Sequence, residues 1–360
     1  MASRRRLALF ALAAAALATL VCLLAVELVL RFADHPPTSF SPWIRSERLG
    51  FRLAPNIDMP MTTPEYSVRI VTNSLGFRDE EPAADPQRDR ILALGDSFTM
   101  GYGVERGSIF TDLLEKNLGA DVVNTGTGGY EIVHQVQVVE EYGRKLAPDA
   151  VVYVLYLGND LAQNDEWQRS GDGTSLTSLV RQYPTRQPRQ IKLLQLARNL
   201  RYGMRMRHGE ERGEWLPFEG YLALCARELT PAARADYDLS AALLAELRDR
   251  VAALDAPLLV VLLPYRSMVE PQARESLKAK VPDLDSAYDL TRPAREIGER
   301  LRALGIDFLD ATPALDQAHR SSGAALYFAV DGHLNEAGHR VLADLLRAPL
   351  AERLSRKPDL

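Results

Sequence analysis

Between residues 90 and 354, short and largely apolar runs alternate with longer stretches whose apolar positions recur every three or four residues. The short runs are Ile91–Leu94, Val122-Val123, Ala150–Leu157, Pro257–Leu263 and Ile306–Leu309. A run that is apolar at successive positions has no solvent face, so these predict strands covered on both sides. The longer stretches predict helices. Ser108–Leu118 is stopped by Gly119. Glu131–Leu146 places Ile132, Val133, Val136, Val139 and Tyr142 on one face, with Pro148 behind it. Leu239–Leu254 and Arg292–Leu304 follow, and Glu336–Leu354 closes the pattern. Strand and helix in strict alternation predict an α/β protein of three layers, α/β/α, around a central, mostly parallel sheet.

The N-terminus has a different pattern. Arg4, Arg5 and Arg6 precede an apolar stretch from Leu7 to Val26 broken only by Thr19, and Glu27 and Arg31 close it. About 20 apolar residues cross a bilayer as a helix, and arginines ahead of the stretch favour a cytoplasmic N-terminus. The expected organisation is a cytoplasmic tail (1–6), a transmembrane anchor (7–30), a membrane-proximal segment (31–88) and a main domain (89–350). The main domain would lie outside the cytoplasmic membrane, in the periplasm or beyond. A cleaved signal peptide is the competing reading, although no clear small-x-small site follows Val26. Val21 before Cys22 argues against a lipoprotein anchor.

Residues 33–66 are rich in proline and polar residues, which suits an extended chain. Tyr66–Thr72 reads as a strand ending in the turn Asn73-Ser74-Leu75-Gly76, and Pro82–Arg90 as a linker. The periodicity lapses between Asp160 and Asp238. An insertion of this size, about 161–238, is expected to form a partly helical cap with a helix at Leu193–Leu200. Its basic stretch 171–212 reads as a solvated face, with an anionic polymer substrate as the alternative.

Composition removes several classes. The net charge is −5 and no basic stripe rises above it, so nucleic acid is not an expected partner. Cys22 and Cys225 are the only cysteines, too few for a disulfide framework or a cysteine metal site. Neither a phosphate-binding loop nor a zinc motif is present, and no metal or nucleotide cofactor is expected.

The candidate chemistry sits where predicted strands end. Ile91–Leu94 runs into Gly95-Asp96-Ser97, a tight turn that would present the Ser97 hydroxyl on a rigid support, as a nucleophile requires. The next two strands end in Asn124-Thr125-Gly126-Thr127-Gly128-Gly129 and in Gly158-Asn159-Asp160. Parallel topology brings all three loops to one sheet edge, where ligands bind. That edge would hold a hydroxyl, glycine backbone N–H groups and a side-chain amide, the donor set of an oxyanion hole. A base is expected from the six histidines. His333 lies in Asp331-Gly332-His333 before the last helix, and in an extended segment positions two apart share a side. Asp331 would then fix the tautomer of His333. His134 and His339 sit within helices and read as packing residues.

These blocks together resemble the GDSL/SGNH hydrolase superfamily over about residues 89–350. The resemblance implies a flavodoxin-like SGNH fold and a serine esterase working through an acyl-enzyme. It implies Ser97 as nucleophile, with Asp331 and His333 as acid and base. The oxyanion donors would be the Ser97 and Gly129 N–H groups and the Asn159 amide. The substrate implied is a small-molecule or glycan ester. One departure is the spacing: the family commonly has two residues between acid and base, and here there is one. That spacing is similar to SGNH-like domains acting on exported polysaccharide. It keeps open an O-acyltransferase of cell-envelope glycan, supplied by a membrane-bound acyl-transfer partner. A non-catalytic envelope binding protein is the third reading. Asn73–Asp79 (NSLGFRD) also resembles a segment found upstream of the serine block in membrane-anchored bacterial relatives.

Overall fold

In the computed structural model, residues 2–32, 42–63, 65–84, 86–161 and 219–355 are described. The chain begins with helix α1 (Ala2–Phe32), whose stretch Phe10–Leu30 is apolar and is not buried among the described residues. Its 21 residues make about 31 Å of helix, the thickness of a bilayer's hydrocarbon core. Among the described residues, Val71 is the one exposed large hydrophobic side chain outside α1. This is one N-terminal apolar helix of the kind found in signal anchors and in signal peptides.

Two antiparallel ribbons follow, β1 (Trp43–Ser46) with β2 (Gly50–Leu53), and β3 (Asp58–Thr62) with β4 (Ser67–Val71). From residue 42 on these ribbons correct the expectation of an extended chain, residues 33–41 lie outside the described residues, and the strand read at Tyr66–Thr72 appears as β4. Leu49, Phe51, Leu53, Val68 and Ile70 are all buried: Leu49 and Phe51 join a core of the main domain, and Val68 and Ile70 form a small core with Met59 and Tyr66 against Tyr102 and Phe328.

The main sheet has five parallel strands: β5 (Arg90–Gly95), β6 (Asp121–Asn124), β7 (Ala150–Tyr156), β8 (Leu258–Leu263) and β9 (Asp307–Asp310). Their order is β6-β5-β7-β8-β9, and the register runs Arg90 opposite Asp121 and Ile91 opposite Ala150. Along β5 the side chains part strictly. Ile91 and Ala93 enter one core and Leu92 and Leu94 the other, as a pleat with period two demands. Each core is closed by helices, which gives the α/β/α architecture expected. On one face lie α4 (Ile132–Leu146), α5 (Glu219–Cys225), α6 (Pro231–Ala252) and α10 (Arg292–Ala303). On the other lie α2 (Ser97–Met100), α3 (Phe110–Leu118), α11 (Thr312–Ser322) and α12 (Glu336–Ser355). Between β8 and α10 come three short helices, α7 (Arg266–Val269), α8 (Pro271–Lys280) and α9 (Leu284–Ala287).

Several boundaries move from expectation. The α6 helix begins at Pro231, eight residues before the predicted start, because Thr230 caps it: its hydroxyl accepts the Ala233 N–H at 3.2 Å, and Pro231 takes the first helical position. The helices α7, α8, α9 and α11 lie in polar, proline-bearing stretches and were not expected. Of the expected cap, residues 162–218 and the helix at 193–200 lie outside the described residues. The part from 219 onward packs in the core through Tyr221, Leu224 and Tyr237.

One buried cation joins the ribbons to the sheet edge. Arg78 is 1% exposed, and its guanidinium donates to the carbonyls of Met100, Gly101, Val104 and, on β4, Arg69. Burial pulls its pKa down to about 10, so it remains charged at neutral pH. It lies in the Asn73–Asp79 segment, whose turn is closed by Asn73 Oδ1 accepting the N–H groups of Leu75 and Phe77. Replacing Arg78 with Met keeps most of the volume but removes the hydrogen bonds to four carbonyls. The expected loss in urea unfolding is about 3 kcal/mol or more. Arg88→Met, which removes a half-exposed ion pair with Glu115 and Asp121, should cost less than about 1 kcal/mol.

Candidate active site

Strand β5 lies between β6 and β7, so the chain leaves its neighbours in opposite directions and opens a crevice at its carboxyl end. Gly95 closes the strand there. A Cβ at Gly95 would stand 2.1 Å from Thr99 Oγ1 and 3.1 Å from the Val154 carbonyl, so no larger residue permits the turn. Asp96 caps the single turn of α2, its Oδ1 accepting the Phe98 N–H at 2.9 Å. Ser97 is the first residue of that turn.

The loop before α12 brings His333 to Ser97. His333 Nε2 lies 2.7 Å from Ser97 Oγ, and His333 Nδ1 lies 2.5 Å from Asp331 Oδ1. Ser97, His333 and Asp331 are thus in hydrogen-bonded series across 236 residues of chain. Asp331 and His333 do not meet through an extended segment, which corrects the reasoning from spacing. They sit in a tight turn in which Gly332 N–H donates to the Phe328 carbonyl and Phe328 N–H to that of His333. Gly332 takes φ +82°, and this left-handed residue lets side chains two apart converge. The imidazole lies between Phe98 and Tyr102, with ring centroids at 4.7 and 4.8 Å. Burial raises the Asp331 carboxyl, but the hydrogen bond and charge of His333 and the hydrogen bond from Tyr66 outweigh it and hold the group below the usual carboxylate value.

The glycine loop after β6 turns at Thr127–Tyr130, where Tyr130 N–H donates to the Thr127 carbonyl. Gly129 supplies the positive φ of +83° that the third position of a type II turn needs. Beside it, a Cβ at Gly128 would meet Ser97 Cβ at 3.5 Å and the Trp43 indole at 3.3 Å, so this backbone runs against Ser97. Among the described residues, the Ser97 and Gly129 N–H groups have no protein acceptor. Asn124 is not part of this donor set. It is buried, with its amide spent on the Thr99 carbonyl and Thr111.

The loop after β7 places Asn159 against Asp96, whose carboxyl its amide helps to hold down. Asp160 points inward, accepting from the Tyr153 hydroxyl at 2.7 Å and the Tyr156 N–H at 3.1 Å. The structure thus brings Ser97, Asp331 and His333 into contact and sets Gly129 and Asn159 in loops at the same edge. The other buried histidines are structural. His134 Nδ1 accepts the Glu131 N–H at the start of α4, His339 Nδ1 accepts that of Phe110, and burial pulls both rings down to about 3. Trp43, Glu65, Tyr66 and Tyr102 also belong to the site, and no signal in their own stretches of sequence marks them.

The family model for GDSL-like lipases and acylhydrolases matches residues 93–341. The chain belongs to this family. It is therefore an ester-hydrolysing enzyme. Similar solved structures include an acetylxylan esterase from Geobacillus stearothermophilus, crystallised as a catalytic mutant, at 15% identity and TM-score 0.40, covering 76% of this chain and 98% of that one. A lipase/acylhydrolase from Enterococcus faecalis shows 15% identity and TM-score 0.38, covering 75% and 99%. A G-D-S-L lipolytic protein from Veillonella parvula shows 16% identity and TM-score 0.39, covering 74% and 99%. No curated protein sequence matches the chain.

Burial pushes the Asp96 carboxyl up to about 6. Between the ordinary value of 3.8 and this raised value, the folded protein keeps a proton that the unfolded chain has released. Stability therefore falls as pH rises through that window. Asp96→Asn retains the capping oxygen and removes the titration. Urea unfolding at pH 4 and pH 6 should show the variant gaining on the wild type by about 2 kcal/mol.

Proposed function

We propose that the protein is a serine esterase that removes an acyl group, acetyl among the candidates, from an extracytoplasmic small-molecule or glycan ester through an acyl-enzyme. The observation that carries this reading is the 2.7 Å approach of His333 Nε2 to Ser97 Oγ, with Asp331 on the opposite ring nitrogen. Asp331 fixes the tautomer in which Nδ1 carries the proton, leaving Nε2 as the base. Ser97 Oγ attacks the acyl carbonyl carbon as its proton passes to Nε2. The carbonyl oxygen becomes an oxyanion facing the Ser97 and Gly129 N–H groups and the Asn159 amide. Collapse expels the alcohol, which takes the proton from His333, and the acyl group remains on Ser97. Water then attacks that ester, His333 takes its proton and returns it to Ser97, and the carboxylic acid leaves.

In this proposal α1 is an uncleaved signal anchor, with the arginines of its N-terminus on the cytoplasmic side and the domain outside. The absence of disulfides is compatible with this placement: the two cysteines are unpaired, with Cys225 buried.

The test uses the full-length chain in detergent with short-chain aryl esters. Ser97→Ala and His333→Ala should each lower turnover by about 10⁴-fold or more, and Asn159→Ala by about 10²–10³-fold. A fluorophosphonate should label the wild type and not Ser97→Ala. Wild-type turnover in both Ser97→Ala and His333→Ala would exclude the mechanism.

A further inference from the structure

The tip of the β3–β4 hairpin grips the loop that carries Asp331. The hairpin is in register from Asp58 opposite Val71 to Thr62 opposite Ser67. Its tip is closed by Thr63, whose N–H donates to the Tyr66 carbonyl and whose hydroxyl accepts the N–H groups of Glu65 and Tyr66. Both side chains beyond that closure reach the acid loop, 265 residues away in sequence. Glu65 accepts two successive backbone N–H groups, Val330 on Oε1 at 3.0 Å and Asp331 on Oε2 at 2.7 Å. The Tyr66 hydroxyl donates to Asp331 Oδ2 at 2.9 Å.

These contacts divide the work on Asp331. Its Oδ1 faces the His333 ring and its Oδ2 faces Tyr66. A carboxylate bonded at one oxygen can swing about its side-chain torsions; bonded at both, in different directions, it has one orientation. Glu65 does the same for the backbone beneath it. The Tyr66 ring is itself fixed in a small separate core with Met59, Val68 and Ile70, against Phe328 at 4.9 Å. Gly103 leaves it room, since a Cβ there would come within 2.9 Å of the ring. Burial and the charge of Asp331 push the phenol far above its ordinary value, so it stays a donor.

We infer that Tyr66 and Glu65 are positioning residues for the reaction. Acting through Asp331, they hold the His333 ring in register with Ser97, so a hairpin lying before the family-matched residues completes the catalytic apparatus. The inference rests on the proposed roles of Ser97, His333 and Asp331.

The test is Tyr66→Phe in the full-length, detergent-solubilised chain, which keeps the ring and removes the donor. For a short-chain aryl ester, kcat should fall about tenfold or more, the worth of one hydrogen bond to a charged group, with KM unchanged. In an Asp331→Asn background the same substitution should cost less than about twofold, because its effect passes through the carboxylate. The low-field proton resonance of His333 Nδ1–H, read without substrate, should shift or broaden in Tyr66→Phe. Wild-type kcat with an unmoved resonance would overturn the inference. So would an equal loss in both backgrounds, which is the mark of a merely structural role. If Ser97→Ala keeps wild-type turnover, the proposed mechanism fails instead. The resonance then still decides whether Tyr66 governs the Asp331–His333 pair.

Discussion

The hydrogen bond between Ser97 and His333 joins the first strand of the sheet to the last loop before the closing helix. A contact of 2.7 Å between residues so far apart tolerates little error in anything between them. The sheet provides the base, since five parallel strands covered on both faces cannot slip without exposing one of two cores. The turn at Gly95 aims Ser97 outward from that base, and α12 fixes the far end through Leu342, Leu346 and Leu350. The remaining freedom lies in the loops, and each is restrained locally by side chains: Asp96 at α2, Thr127–Tyr130 in the glycine loop, Glu65 and Tyr66 at the acid loop.

What could be read in the sequence follows from the range of the forces involved. The central strands β5, β7 and β8 are apolar on both sides, a local signal, and all five strands of the main sheet appeared within a residue or two of their positions. The meeting of Ser97, Asp331 and His333, and the placing of Gly129 and Asn159 at the same sheet edge, could be anticipated because each lies at the end of a strand or beside a terminal helix, positions that parallel topology gathers at one edge. Of the ribbons of residues 43–71, β4 was visible as the strand read at Tyr66–Thr72, and β1, β2 and β3 were not. Their strands are four or five residues long, carry proline and charge, and are stable only because the main domain covers one side. The convergence of Asp331 and His333 was anticipated for the wrong reason, since a positive φ at Gly332 and not an extended chain brings them together. Glu65 and Tyr66 act on a loop far away in sequence, and no local pattern carries such information.

The buried polar groups show where the fold accepts cost. Asp96 and Asp160 both lie fully buried, and burial raises both above the ordinary carboxylate value. Two acids in one low-dielectric region disfavour each other's charge. Asp96 retains its cap on α2 and Asp160 its bonds to Tyr153 and Tyr156, so each has a structural duty at the loops that present Ser97 and Asn159.

The burial of Arg78 bears on how the molecule moves. Its charge is shared among carbonyls of β4 and of the chain following α2. Peeling the hairpin away would leave a guanidinium facing a dry interior with part of its shell gone, which is too costly for a routine fluctuation. The hairpin and the segment after Ser97 should therefore open as one unit, at close to the cost of global unfolding. The amides of β4 and of residues 100–104 would exchange with solvent together and slowly, so that a short ribbon of modest intrinsic stability takes on the lifetime of the sheet.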